Sequence, residues 1–231
     1  MKDNAPMNII AHIKSDFPTK FGIPRQSGLV DSLVSVIVFE PEYRNVDAFS
    51  GLEGYSHLWI IWKFSESVRD TFSPTVRPPR LGGNTRKGVF ATRSPYRPNP
   101  IGLSSVAIEK IDLHTKDGPV IYVRGADIMD GTPIYDIKPY IAYTDSHEDA
   151  SGGFALTEKE GALKVEFPDT LIERVANHLR KPLCEVLAQD VRPGYQHDDE
   201  RIYKLAFADM DVHFRVADDT VYVVDVKFVE R

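Results

Sequence analysis

The chain has 231 residues, a single cysteine and a formal charge of −6, from 28 Lys and Arg against 34 Asp and Glu. That length allows one large domain or two small ones with about 70% of the unfolded surface buried, and lone Cys184 among scattered histidines excludes an intrachain disulfide framework and a structural zinc site of the usual spacing. No apolar run nears the ~20 residues of a membrane-spanning helix and the N-terminal Met1-Lys2-Asp3-Asn4 lacks a signal peptide's apolar core, so the expectation is a soluble protein of the reducing cytoplasm.

Short β-rich segments fill the first part of the chain: Asn8 to Ile13, Val34 to Phe39, Tyr55 to Phe64, Gly88 to Thr92, Leu103 to Ile111, Val120 to Val123 and Pro133 to Pro139. Gly, Pro and Asn turns separate them without intervening helical periodicity, which predicts an antiparallel β-barrel or sandwich and disfavours a doubly wound α/β fold. Asn45 is placed to cap a brief helix through Phe49, ended by Gly51. Leu58-Trp59-Ile60-Ile61-Trp62 carries bulk on both faces, as in a strand buried on both sides or at an oligomer contact, with core roles for both tryptophans. Residues Asp145 to Gly153 read as a linker or exposed loop. Beyond it, Leu171, Ile172, Val175, Ala176 and Leu179 share one helical face after Asp169 as N-cap, and Pro182 opens a second helix. Arg201 to Phe207, Val212 to Val216 and Val221 to Phe228 alternate as a three-stranded meander with Asp218-Asp219 at its last turn. The expected organisation is therefore a mainly β domain over residues 1–150 and a small α+β domain over residues 151–231.

Between Thr71 and Ile108 there is no acidic residue, while Arg77, Arg80, Arg86, Lys87, Arg93 and Arg97 all fall there, a local excess of six positive charges in an acidic chain. A positive patch opposing the global balance points to an anionic partner. Within it, Pro95, Pro98 and Pro100 fix φ along one turn and lower the entropy lost on ordering it, so Arg93 and Arg97 are held in set directions, with Asn99 expected to hold the turn together. Two further loops are candidates: Pro24-Arg25-Gln26-Ser27-Gly28, where glycine permits close backbone approach, and Asp127-Ile128-Met129-Asp130-Gly131-Thr132-Pro133, which has ordinary tight-turn chemistry. His57 and Cys184 read as buried core residues rather than as catalytic groups. No dinucleotide fingerprint, phosphate-binding P-loop, nucleophile elbow or HExxH zinc motif occurs. The residues alone thus leave open an enzyme, a non-catalytic RNA- or nucleotide-binding module, and a phosphate-ester hydrolase whose best acids, Asp127 and Asp130, form no recognised metal pattern.

The run Gly88-Val89-Phe90-Ala91-Thr92-Arg93-Ser94-Pro95-Tyr96-Arg97-Pro98-Asn99-Pro100-Ile101-Gly102 closely resembles the signature of the TsaA-like, or TrmO, family. Pro24 to Leu29, Ser56-His57-Leu58-Trp59, Val76 to Asn84, Asp130-Gly131-Thr132-Pro133 and Glu185 to Tyr195 resemble it in the same order, with Val191 where proline is common. The resemblance implies an S-adenosylmethionine-dependent tRNA methyltransferase acting on N6 of threonylcarbamoyladenosine at position 37 beside the anticodon, built on a β-barrel and working as a homodimer without a metal. It further implies that the cofactor is held by Gln26, Ser27 and Gly28, by Ser65 and Glu66, by Arg93 and Leu103, and by Ile128, Met129, Asp130 and Gly131. The types at Ser65 and Glu66 depart from the His-Gln of some members. Methyl transfer is an in-line displacement that chiefly requires alignment, and Asp130 is the candidate base. For the anticodon loop of the tRNA, the expected contacts are Arg77, Arg80, Arg86, Arg97, Arg192 and Tyr195.

Overall fold

The computed structural model describes residues 7–67, 71–78, 81, 84–156, 162–192 and 198–230. Its strands are β1 (Ala11–Lys14), β2 (Val34–Phe39), β3 (His57–Lys63), β4 (Thr75–Val76), β5 (Lys87–Gly88), β6 (Ile101–Thr115), β7 (Gly118–Arg124), β8 (Pro133–Pro139), β9 (Lys164–Glu166), β10 (Tyr203–Phe207), β11 (Met210–Ala217) and β12 (Thr220–Phe228). Three short α-helices, α1 (Ala142–Asp145), α2 (Asp169–Ile172) and α3 (Asn177–Ala188), complete the regular structure together with several single 3₁₀ turns.

Six strands close into an antiparallel barrel in the order β1-β2-β7-β6-β3-β8. Alternation explains the closure: Leu58, Ile60 and Trp62 of β3 turn inward with Ile13, Ile37, Ile121 and Ile134, while the intervening residues are partly covered or exposed. Each such fully buried aliphatic side chain contributes about 1.5–3 kcal/mol. β3 is consequently not buried on both faces, and its two tryptophans divide: Trp62 is interior, whereas Trp59 is half-buried and donates from Nε1 to Asp145 Oδ2 at 2.9 Å. His57 is exposed rather than buried, with Nδ1 2.9 Å from Ser56 Oγ, because it stands on the outward register at the start of the strand.

Downstream, β10-β11-β12-β9 form a four-stranded sheet in which β9 pairs in parallel with β12, a strand of three residues too short to show an alternation in the sequence. The predicted helix from Asp169 breaks instead into α2 and α3. Arg180 donates to the Val175 and Glu173 carbonyls at 2.8 and 3.1 Å, satisfying in the break the acceptors that a continuous helix would have used. Pro168, not Asp169, stands at the N-cap of α2, and Pro182 lies inside α3 rather than at its start. The sheet and α3 pack into a second core whose members include Phe17, Val30 and Leu33, all from the segment between β1 and β2. That segment therefore belongs to both halves of the molecule. It also supplies the first wall of the site.

Candidate functional site

Three loops meet over one end of the barrel. Gly28 N donates to Gly125 O at 2.9 Å, and Gly125, at φ +76°, sits so near that a Cβ there would lie 3.2 Å from Gly28 Cα. Glycine at this left-handed position lets the Pro24–Gly28 loop dock against the chain leaving β7. The third loop is the proline-rich turn. The predicted strand over Gly88 to Thr92 is only the two residues of β5 followed by a 3₁₀ turn, since both the amide and the hydroxyl of Thr92 fold back on Val89 O, at 3.2 and 2.9 Å. After it, Arg97 Nη1 donates to Thr92 O at 3.0 Å and Ser94 O at 3.5 Å, so the Arg97 side chain ties the turn together, and Asn99 contributes through its main-chain carbonyl, which accepts from Ile101 N at 2.8 Å. Arg93 Nη1 donates to Gln26 Oε1 and joins this turn to the first loop.

Between the loops lies a cleft of about 720 Å³, within the ~300–1,000 Å³ typical of small-molecule sites. Trp59, Trp62, Phe64, Ile101, Leu103 and Met129 supply apolar wall; Lys20, Arg25, Lys63, Arg93 and Arg97 give it positive charge against two acids, Glu66 and Asp127. Glu66 is exposed and its main-chain carbonyl accepts from Lys20 Nζ at 2.5 Å. Asp127 is mostly buried. Its Oδ1 accepts from Ser104 Oγ at 2.5 Å, and Ser104 Oγ in turn accepts from Trp62 Nε1 at 3.0 Å. Burial pushes the Asp127 carboxyl above the usual aspartate range; the Ser104 bond, the amides of Asp127 and Ser27 and the charge of Arg93 oppose this without cancelling it.

Of the sequence-predicted cofactor residues, the cleft gathers Gln26, Ser65, Glu66, Arg93, Leu103 and Met129. Ser27 and Gly28 stand just behind, in contact with Asp127 and Gly125 through their main chains. Ile128 is wholly buried in the barrel core, and exposed Asp130, whose Oδ1 accepts from Ser15 N at 2.9 Å, and exposed Gly131 are not among the lining residues. Of the two acids that the sequence offers in this loop, it is Asp127, directly after Gly125-Ala126, that joins Glu66 in lining the cleft. Of the predicted RNA contacts, Arg97 lines the cleft and Arg77 and Arg86 are exposed, with Arg86 Nη1 donating to Thr75 Oγ1 at 2.8 Å. Arg192 is engaged in a two-pronged pair with Asp190 at 2.8 and 2.9 Å. Burial opposes ionisation of Asp190, yet the bonds and charge of Arg192 outweigh it and hold the carboxyl below its usual range. Arg80 and Tyr195 lie outside the described residues. Among the described residues no cluster of three His, Cys, Asp or Glu is placed to hold a metal, and no helix is long and apolar enough to cross a membrane.

A barrel whose rim loops enclose a cleft with an aromatic wall, a basic lip and one buried acid defines a class of binder for a small ligand carrying both a ring system and charge, set beside a surface for an anionic partner. Residues 12–146 match the N-terminal domain of the tRNA-methyltransferase O family and residues 160–229 match its C-terminal domain, so the chain belongs to the TrmO family. It is 41% identical over 217 residues to the tRNA (adenine(37)-N6)-methyltransferase of Escherichia coli K12, covering 90% of this chain and 92% of that protein. It is 39% identical over 226 residues, 94% of this chain and 95% of the other, to a Pseudomonas aeruginosa protein whose name places it among the S-adenosylmethionine-dependent methyltransferases. The crystal structure of TrmO from Pseudomonas aeruginosa superposes with a TM-score of 0.77 at 32% identity, covering 97% of this chain and 98% of that one.

Proposed function

We propose that the protein transfers a methyl group from S-adenosylmethionine to N6 of N6-threonylcarbamoyladenosine at position 37 of tRNA. The observation that carries the reading is the cleft itself: an aromatic-walled pocket of about 720 Å³ is joined through the Arg93–Gln26 contact to a proline-stiffened basic turn. Its residues suit the cofactor, since Trp59, Phe64 and Leu103 would cover a purine and Gln26 and Arg93 would offer hydrogen-bonding partners to its polar groups. When bound, the cofactor supplies an electrophilic methyl on a sulfonium. The protein's part is to hold donor and acceptor in line, and a turn locked by Arg97 and three prolines keeps that alignment at low entropic cost.

Arg77 and Arg86, with Arg80, make the basic face for the anticodon loop, and Tyr195 stacks on an unpaired base. Residues 1–150 bind the cofactor, and residues 151–231 join that basic face in recognising tRNA. The protein works as a cytoplasmic homodimer, a reading supported by the exposed, mutually stacked Phe72 and Phe90. Arg192 serves indirectly, its charge already matched by Asp190.

Incubation with labelled S-adenosylmethionine and tRNA carrying threonylcarbamoyladenosine, then digestion to nucleosides, should yield the methylated nucleoside. Equal labelling of tRNA lacking the threonylcarbamoyl group would overturn the choice of acceptor, and cofactor binding without any product would leave a binding module. With about three phosphates engaged, log K for tRNA should fall with log salt at a slope of about −2.

A further inference from the structure

We propose that Asp127 is the general base of the methyl transfer. The inference rests on the activity proposed above but not on which N6 is the acceptor. Whether that nitrogen is a free amine or carries a carbamoyl group, it gains a carbon and must lose one hydrogen. The nitrogen's electron pair forms the new N–C bond, the pair of the breaking C–S bond returns to sulfur to leave a neutral thioether, and the N–H proton passes to the Asp127 carboxylate and from there to water.

Geometry singles out Asp127. Among the described residues, the other carboxylate lining the cleft is Glu66, which is exposed, whereas Asp127 is held from the barrel interior by Ser104, a residue only 1% accessible. Trp62 Nε1 occupies a lone pair of the Ser104 hydroxyl and so directs its proton to Asp127 Oδ1. With Ser104 and the amides of Ser27 and Asp127 as donors, the carboxylate, which can accept about four hydrogen bonds, retains room for one more. The charged group acting on it is Arg93 from the proline turn; the Pro24–Gly28 loop contributes the Ser27 amide, β6 the Ser104 hydroxyl, and β3 acts through Trp62. Burial raises its proton affinity, as suits a base. Ser104 is then a positioning residue.

Asp127→Asn keeps an acceptor for Ser104 and removes the base. At saturating cofactor and tRNA its single-turnover rate should fall about 10²–10⁴-fold, with cofactor affinity by calorimetry changed by less than about threefold, well under 1 kcal/mol. In the parent protein the rate should rise with pH to a plateau, and Ser104→Ala, which removes a bond favouring the charged carboxylate, should move that rise to higher pH. Ligand-free protein gives a separate readout. Because the folded carboxyl titrates above its unfolded value, the parent is relatively most stable below that unfolded value and loses this as pH rises through the folded one. Asp127→Asn should therefore gain in melting temperature over the parent at neutral pH, with the gain shrinking in acid. An unchanged single-turnover rate, a rate recovered by added cofactor, or a pH rise unmoved by Ser104→Ala would overturn the assignment. Absence of methylation by the parent sinks the activity reading and the base with it; equal methylation by parent and Asp127→Asn overturns the base alone.

Discussion

Gly102 faces Trp62 across β6 and β3, and a Cβ on it would lie 2.2 Å from Trp62 Cε2, inside any attainable contact. The indole has little room to yield, since it also packs on Phe64 at 4.2 Å between centroids and bonds Ser104. Gly102→Ala should cost about 1–3 kcal/mol by chemical denaturation and lower methyl transfer as well, because the displaced indole releases Ser104. A second residue-scale case has the opposite pH sign from Asp127. Asp190 sits at φ +46°, a conformation that asparagine also accepts, so Asp190→Asn removes charge while keeping the backbone. Its carboxyl is held low by Arg192, hence its stabilisation is present above the unfolded carboxyl's titration and is lost as pH falls through the folded one. The substitution should cost about 1–3 kcal/mol at neutral pH, with parent and variant melting together in acid.

At the scale of elements, the proline turn is held from three directions: Arg97 closes it on itself, Arg93 ties it to Gln26, and the Phe64 amide bonds Pro100 O at 2.9 Å. Arg97→Ala frees the half-buried Thr92 and Ser94 carbonyls at the rim of the cleft. It should weaken cofactor binding about tenfold by calorimetry, equivalent to ~1.4 kcal/mol, while shifting the melting temperature little. The same element shows where sequence pattern stops. Val89, Phe90 and Ala91 have strand-like composition, yet they make one 3₁₀ turn because Thr92 bonds back to Val89. By contrast the Asn45 cap formed as the residues demand, with Asn45 Oδ1 accepting from Asp47 N at 3.0 Å and Gly51 at φ +86° closing the turn. Asp218 and Asp219, both at positive φ, make the tight turn between β11 and β12. Such local chemistry is legible because both partners lie within a few residues.

For the molecule as a whole, the segment between β1 and β2 couples the two cores. Phe17 packs edge-on against Phe207 at 5.6 Å, and Gly22 approaches Leu205 so closely that a Cβ would lie 2.1 Å from its Cδ1, while Pro24 and Gln26 of the same segment line the cleft. The α+β unit thus supports the loop that carries Gln26. Phe17→Ala should cost about 3–5 kcal/mol, seen as faster amide hydrogen exchange in β10 to β12 with the barrel strands little changed, and should raise the cofactor dissociation constant although Phe17 is absent from the cleft.

Read alone, the sequence determined the β-rich first part, the helix-then-meander order of the second, the basic turn and the loop at Gln26, because alternation, proline and turn residues act over a few positions of chain. The tertiary structure decided which of the marked residues face one another. Asp127 and Asp130 are equivalent as letters in one turn, but barrel closure brings Ser104 of β6 beneath the first and the Ser15 amide beside the second. Likewise Arg97 and Arg192 look like free cations in the sequence, and only folding supplies the carbonyls and the carboxylate that engage them. Contacts across such separations depend on strand order and register, which short-range pattern does not encode.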